Sequence, residues 1–249
     1  MSAAGFAEIA DHTLLASDTT AAELEVFLSD AVDLGVKRVC VSPSLLPVKK
    51  RGLEIVTVIG FPSGAHHFEI KAAETARAVQ DGADEIDMVI NAALVHAGDW
   101  LGVEKDIAAV RAACPGKVLK VILETANLSD EEIVGSCLAA ERAGADFVKT
   151  STGFHPAGGA TAHAVEIMAG VVGGKLGIKA SGGVRTAAQV REFASLGATR
   201  FGVSGTAAII DELNGKAQNA APQNTAPQNA APQSTAPQNP ATKESGAAY

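Results

Sequence analysis

Short apolar runs alternate along this chain with longer stretches whose apolar positions recur every three to four residues. The short runs predict strands over 8–14, 37–42, 54–60, 85–91, 118–124, 147–152, 176–181 and 200–204. Between them the helical pattern is clearest in TTAAELEVFLSDAVDLG, FEIKAAETARAVQDGA, VEKDIAAVRAACPG, SDEEIVGSCLAAERAGA and TAAQVREFASLGA. Ser129 with Glu132, and Thr186 with Gln189, have capping-box spacing and mark two helix starts. The connection PSLLPVKKRGL, 43–53, has room for at best a short helix. In LGVKRVCVS, DGADEIDMVI, AGADFVKTS and LGATRFGVS a glycine ends a helical stretch and a strand follows two residues later. Such punctuation belongs to βα units laid in parallel. Eight of them in about 210 residues predict a single α/β domain, a (β/α)8 TIM barrel. A doubly wound sheet is disfavoured, because no G-x-G-x-x-G follows the first strand.

The pattern stops near Asn214. Residues 220–239 read AAPQN-TAPQN-AAPQS-TAPQN, and no aliphatic residue larger than Ala occurs beyond Asn214. Such a segment has too little apolar surface to offset the entropy of ordering it. The sequence therefore divides into a barrel domain, 1–214, and a disordered Pro/Ala/Gln/Asn-rich tail, 215–249. Tyr249, the one tyrosine, ends that tail. A flexible segment of this length reaches roughly 30–35 Å, so two readings stand: a solvated appendage, or a phenol that visits the barrel mouth and assists proton transfer.

Composition narrows the function classes. With 20 Lys+Arg against 28 Asp+Glu and a net charge of −8, the chain lacks the basic footprint of a nucleic-acid or anionic-membrane binder. No apolar run is long enough to span a bilayer, and the first residues do not read as a signal peptide. Three cysteines without C-x-x-C spacing suit a reducing compartment, so the expectation is a cytoplasmic protein.

Side chains alternate along a strand, so one parity faces the helices and the other the barrel interior. Ile86, Met88 and Ile90 oppose Asp87; Leu119, Val121 and Leu123 oppose Lys120 and Glu124; Val148 opposes Lys149; Ile178 and Ala180 oppose Lys179. With the apolar parity against the helices, Asp87, Lys120, Glu124, Lys149 and Lys179 point inward. One reading is an internal ion-pair network, Asp87 and Glu124 balancing Lys120 and Lys149. The other is catalysis, since barrel enzymes carry their reactive groups at strand ends. An amine attacks a carbonyl only when deprotonated, and both desolvation and a neighbouring cation lower its pKa. Lys149 and Lys179 stand on adjacent strands, about 5 Å apart. One can be a Schiff-base nucleophile while the other stays charged, and Asp87 can shuttle the proton. Glycine turns at STGF (Ser151–Phe154), SGGVRT (Ser181–Thr186) and VSGTAA (Val203–Ala208) suggest a phosphate cradle at the last strand ends.

The stretches IADHTLL, VCVSP, EIDMVIN, LKVILE, DFVKTSTGF, GIKASGGVRT and RFGVSG resemble the deoxyribose-phosphate aldolase family, in order from Ile9 to Gly205. The resemblance implies a class I aldolase, a lyase of deoxyribonucleotide and carbohydrate degradation. It would interconvert 2-deoxy-D-ribose 5-phosphate with D-glyceraldehyde 3-phosphate and acetaldehyde, without cofactor or metal. It makes Lys149 the Schiff-base lysine, Lys179 its cationic neighbour and Asp87 the proton donor or acceptor. Substrate and phosphate would fall to Lys120, Thr152, Gly153, Gly182, Gly183, Ser204 and Gly205. Two departures bear on phosphate: Phe154 stands where some relatives have a basic residue, and Ser204-Gly205 replaces a Ser-Ser pair. Oligomeric state is left open, a homo-oligomer included. The rival functions are a Schiff-base barrel aldolase for another sugar phosphate and a non-catalytic phosphosugar-binding module.

Other residues draw plainer readings. The adjacent His66 and His67 would point apart on a helix and suit a surface or loop, Cys40 a buried core thiol, and Trp100 packing on a helix. Asp11 is either a member of the proton relay or an ion-pair partner.

Overall fold

A computed structural model describes residues 1–216. Everything expected of 217–249, including disorder and the reach of Tyr249, lies outside the described residues. Eight parallel strands close on themselves in sequence order: β1 (Ala10–Leu14), β2 (Arg38–Val41), β3 (Glu54–Ile59), β4 (Glu85–Val89), β5 (Val118–Ile122), β6 (Phe147–Lys149), β7 (Gly177–Ser181) and β8 (Arg200–Val203). The ring is closed by β1 against β8, with Ala10 opposite Phe201 and Asp11 opposite Gly202. The expected TIM barrel is therefore observed.

One helix, α1 (Ala3–Ile9), precedes β1, and the others lie after strands: α2 (Ala21–Asp33), α3 (Phe68–Gln80), α4 (Ala92–His96), α5 (Trp100–Ala113), α6 (Asp130–Arg142), α7 (Ala162–Val172), α8 (Ala187–Ser195) and α9 (Thr206–Leu213). Both expected capping boxes form, at Ser129–Glu132 and Thr186–Gln189, and a third sits at Thr20–Glu23. Residues 43–53 hold only a single 3-10 turn, Pro43–Leu45. The first expected strand is shortened because residues 8 and 9 belong to α1, whose start is capped by the Ser2 hydroxyl accepting from the Gly5 N–H. At the other end, Gly215 and Lys216 finish the last turn, the Lys216 N–H donating to the Asp211 carbonyl.

The main core lies between the sheet and the helices. Ile86, Met88, Leu119, Val121, Val148, Ile178 and Phe201 supply the outward parity, and all are buried. Trp100 packs on α6, where Gly135 leaves room for it: a Cβ there would come within 2.4 Å of the indole. The interior of β2 and β3 is different, a small apolar wall of Cys40, Val56 and Val58 joined by Leu15 and Phe61. The charged interior side chains come from the other strands, among them Asp11, Asp87, Lys120, Lys149, Lys179 and Arg200.

Candidate active site

Asp87 stands at the centre of the inward-facing charges. Its Oδ1 accepts from Lys120 Nζ at 2.8 Å, and its Oδ2 accepts from Lys149 Nζ at 2.8 Å and Lys179 Nζ at 2.7 Å. Lys179 also donates to Asp11, and Lys120 to Glu85 at 2.5 Å. Arg200 completes the set, 2.8 Å from Asp11 and 3.2 Å from Glu85. Strand register brings these groups together, with Lys149 directly opposite Lys179, and Asp87 opposite Lys120. Gly202 makes space for the Lys179 side chain, since a Cβ there would lie 3.1 Å from its Cε.

The three lysines are not equivalent. Lys120 and Lys179 are wholly enclosed, whereas Lys149, the last residue of β6, is 3% exposed. Lys149 meets one carboxylate, and each of the others meets two at hydrogen-bond distance. Burial, reinforced by the Lys179 charge, pulls the Lys149 amine below the ordinary lysine range despite Asp87. At Lys179 burial works in the same direction but is outweighed by Asp11 and Asp87, which hold its ammonium charged. Burial opposes ionisation of Asp87, yet Lys120, Lys149 and Lys179 together keep its carboxyl well below the usual range. The site thus combines a desolvated amine, a neighbouring fixed cation and an ionised carboxylate touching both, which is what imine chemistry on a carbonyl requires.

Above Lys149 the strand ends turn through glycines. Gly182, with φ of +82°, packs so closely that a Cβ would lie 3.0 Å from that of Ser151 and 3.2–3.3 Å from the Cα atoms of Gly159 and Gly153. The Ala160 N–H donates to the Gly182 carbonyl at 2.9 Å, tying the two loops together. Among the described residues no side chain caps α9 at Gly205, so its first-turn amides stay available to an anion. The Ser151 hydroxyl is buried without a protein partner beside these turns.

A family model described as DeoC/LacD family aldolase matches residues 7–209. The chain belongs to the DeoC/LacD aldolase family. This aldolase is 59% identical over 209 residues to the deoxyribose-phosphate aldolase of Corynebacterium diphtheriae, covering 83% of this chain and 96% of that one. It is 58% identical over 202 residues to the deoxyribose-phosphate aldolase of Nocardia farcinica, covering 81% and 91%. Among solved structures, the tetrameric deoxyribose phosphate aldolase of Aeropyrum pernix superposes with a TM-score of 0.78 at 28% identity, covering 86% of this chain and 92% of that one. No helix among the described residues of the aldolase is long and apolar enough to cross a membrane.

One expected position needs correction. Glu124 does not balance a lysine. The chain leaves β5 after Ile122 and turns through a left-handed φ of +60° at Glu124, whose carboxylate accepts from the Thr152 N–H and hydroxyl. Thr152 is thereby held in place by Glu124. The ammonium of Lys120 is engaged by Glu85 and Asp87, beneath Lys149 in the strand register. Cys40 is a buried thiol on the apolar wall, pushed by burial up to about 11. His66 and His67 are exposed, and Phe154 meets Phe61 edge-on at the mouth, centroids 5.2 Å apart. Asp11 proves to be part of the cluster. Glu85 and Arg200 were not singled out from the sequence, although Glu85 has the same parity as Asp87 and Arg200 the parity opposite Phe201.

The ion pairs should make the aldolase acid-sensitive. Burial raises the Asp11 pKa, but Lys179, Lys120 and Arg200 more than reverse this and bring it from 3.8 to about 2. A carboxylate depressed in the folded state stabilises it fully above the unfolded value, and that stabilisation is lost as pH falls through the folded one. For Asp11 alone the loss between pH 4 and pH 2 is about 2 kcal/mol, and Asp87 adds to it. Urea midpoints should therefore fall steeply below pH 4, and the fall should be shallower in Asp11→Asn.

Proposed function

We propose that this aldolase cleaves 2-deoxy-D-ribose 5-phosphate reversibly to D-glyceraldehyde 3-phosphate and acetaldehyde, through a Schiff base on Lys149. The observation that carries the reading is the inequality of the three lysines. Only Lys149 combines access from the mouth with a single counter-ion and a neighbouring fixed cation. Its free amine adds to C1 of the open-chain sugar. Asp87, ionised at rest, accepts a proton during carbinolamine formation and returns it as water leaves. The resulting iminium draws electrons as the C2–C3 bond breaks, while Asp87 takes the C3 hydroxyl proton and the phosphorylated triose leaves as its aldehyde. The enamine left on Lys149 is protonated at C2 with Lys179 as the acid, Asp87 returning the C3 hydroxyl proton to Lys179 so that its charge is kept, and hydrolysis frees acetaldehyde. The names of the relatives support this choice of substrate, and the uncapped start of α9 with the Gly153 and Gly182 turns supports binding of its phosphate. The apolar wall of Cys40, Val56 and Val58 gives an unsubstituted C2 a fitting surface.

Release of acetaldehyde from deoxyribose 5-phosphate, compared with ribose 5-phosphate and ketose phosphates, tests the substrate directly. Rapid cleavage of the first alone is expected, and preference for a ketose phosphate would transfer the reading to a different Schiff-base aldolase. Gly182→Ala tests the phosphate site. A side chain there is strained by the positive φ and crowds Ser151, Gly159 and Gly153. Losing about 1–3 kcal/mol of phosphate binding should raise KM for deoxyribose 5-phosphate roughly tenfold or more. Turnover of unphosphorylated deoxyribose should change far less.

A further inference from the structure

Asp11, Glu85, Asp87, Lys120, Lys149, Lys179 and Arg200 form one connected set of ion contacts. Glu85 and Arg200 open β4 and β8, at the end of the barrel away from the glycine turns. Both are more than nine-tenths buried, and neither approaches Lys149 closely enough to pair with it. At the rim, Arg38 reaches Glu85 at 3.3 Å but is itself neutralised by Glu54 at 2.7 Å.

Three carboxylates, Asp11, Glu85 and Asp87, face three cations, Lys120, Lys179 and Arg200. The set is electrically balanced when Lys149 is neutral and carries a surplus positive charge when Lys149 is protonated. Groups around Lys149 from every strand agree with this count. Asp87, Lys120, Lys179, Asp11 and Arg200 come from β4, β5, β7, β1 and β8. From β2 come Cys40, uncharged because burial raises its thiol, and at the rim Arg38; from β3 come Val56, Val58 and at the rim Glu54, which offsets Arg38. Glu124, at the mouth, is engaged by Thr152 and joins no ammonium.

We propose that Glu85 and Arg200 are positioning residues that set the charge balance beneath the site and thereby hold the Lys149 amine unprotonated. The inference rests on Lys149 being the nucleophile. Arg200→Met leaves a surplus negative charge, which Lys149 relieves by taking up a proton. Glu85→Gln leaves a surplus positive charge, which makes protonation of Lys149 still less favourable. The two variants act in opposite directions, and together they restore the balance. A unit charge at this depth moves the titration by about one pH unit.

The test is the pH dependence of borohydride trapping with acetaldehyde, read as ethylated Lys149 by peptide mass mapping. Relative to the unmodified enzyme, the midpoint should move up by about one pH unit in R200M and down by a similar amount in E85Q. It should return in the double variant and stay unmoved in R200K, which keeps the charge. If R200M does not fold, the downward shift in E85Q and the unmoved midpoint in R200K decide. Midpoints that do not move, or that move the same way in both single variants, overturn the inference. An unmodified enzyme that shows no adduct on Lys149 overturns the proposed Schiff base, and this inference with it.

Discussion

Lys149→Ala is expected to abolish the borohydride-trapped acetaldehyde adduct and to lower turnover on the order of 10⁴-fold or more, as loss of a covalent nucleophile does elsewhere. The size of the effect follows from what remains. Lys179 is fully enclosed and its charge is fixed by Asp11 and Asp87, so it cannot replace the lost amine. Lys120 lies deeper, between Glu85 and Asp87. Folding should survive, because Asp87 keeps two cations and the lost side chain is the least paired of the three. Peptide mapping of the trapped protein checks the assignment, with circular dichroism as the control for folding. An ethyl group found mainly on Lys179 would reverse the two roles.

The barrel was legible because its sequence is locally consistent. The outward parity of β4, β5 and β7 is apolar without exception, so an inward Asp87, Lys120 or Lys179 stands out against it. Thr186 with Gln189 and Ser129 with Glu132 mark helix starts by local hydrogen-bonding chemistry alone. Glu124 was misplaced because parity holds only while the strand continues, and the left-handed turn at that residue ends it. Residues 8 and 9 depart from the strand pattern for a related reason: the Ser2 cap that starts α1 lies several residues before the apolar run. Glu85 and Arg200 have the right parity but sit at strand starts, where a charged residue ordinarily faces solvent. Their burial arises only when β8 closes against β1 and brings Arg200 to Asp11, a contact across 189 positions of sequence. Lys120 shows the limit most clearly. Inward direction could be read from the sequence, whereas depth along the barrel, which sets Lys120 between Glu85 and Asp87, depends on the register of every strand together.

Lys179→Leu should lower kcat by about 10²–10⁴-fold, the range for losing a positioned proton-transfer group, with KM changed much less. Two consequences of removing one charge combine. Lys149 loses the cation that disfavours its own protonation, so its pKa rises and a smaller fraction is nucleophilic at neutral pH. In the proposed mechanism the enamine carbon also loses its acid. The effects separate with pH, because a raised Lys149 pKa moves the acid limb of kcat/KM upward and is overcome in alkaline buffer. Missing proton transfer is not overcome in that way. Borohydride trapping on Lys149 should therefore recover as pH is raised, while turnover stays low. KM should hold because Lys179 contacts Asp11 and Asp87 and is enclosed beneath the glycine turns. Asp11 retains Arg200, and Asp87 retains Lys120 and Lys149, so the carboxylates are not stranded. Stability should still fall by up to about 3–5 kcal/mol, the cost of breaking a buried pair, and thermal unfolding shows whether the variant remains folded at the assay temperature. A large rise in KM with kcat intact would make Lys179 a substrate-binding cation and leave Asp87 as the only proton carrier at the imine.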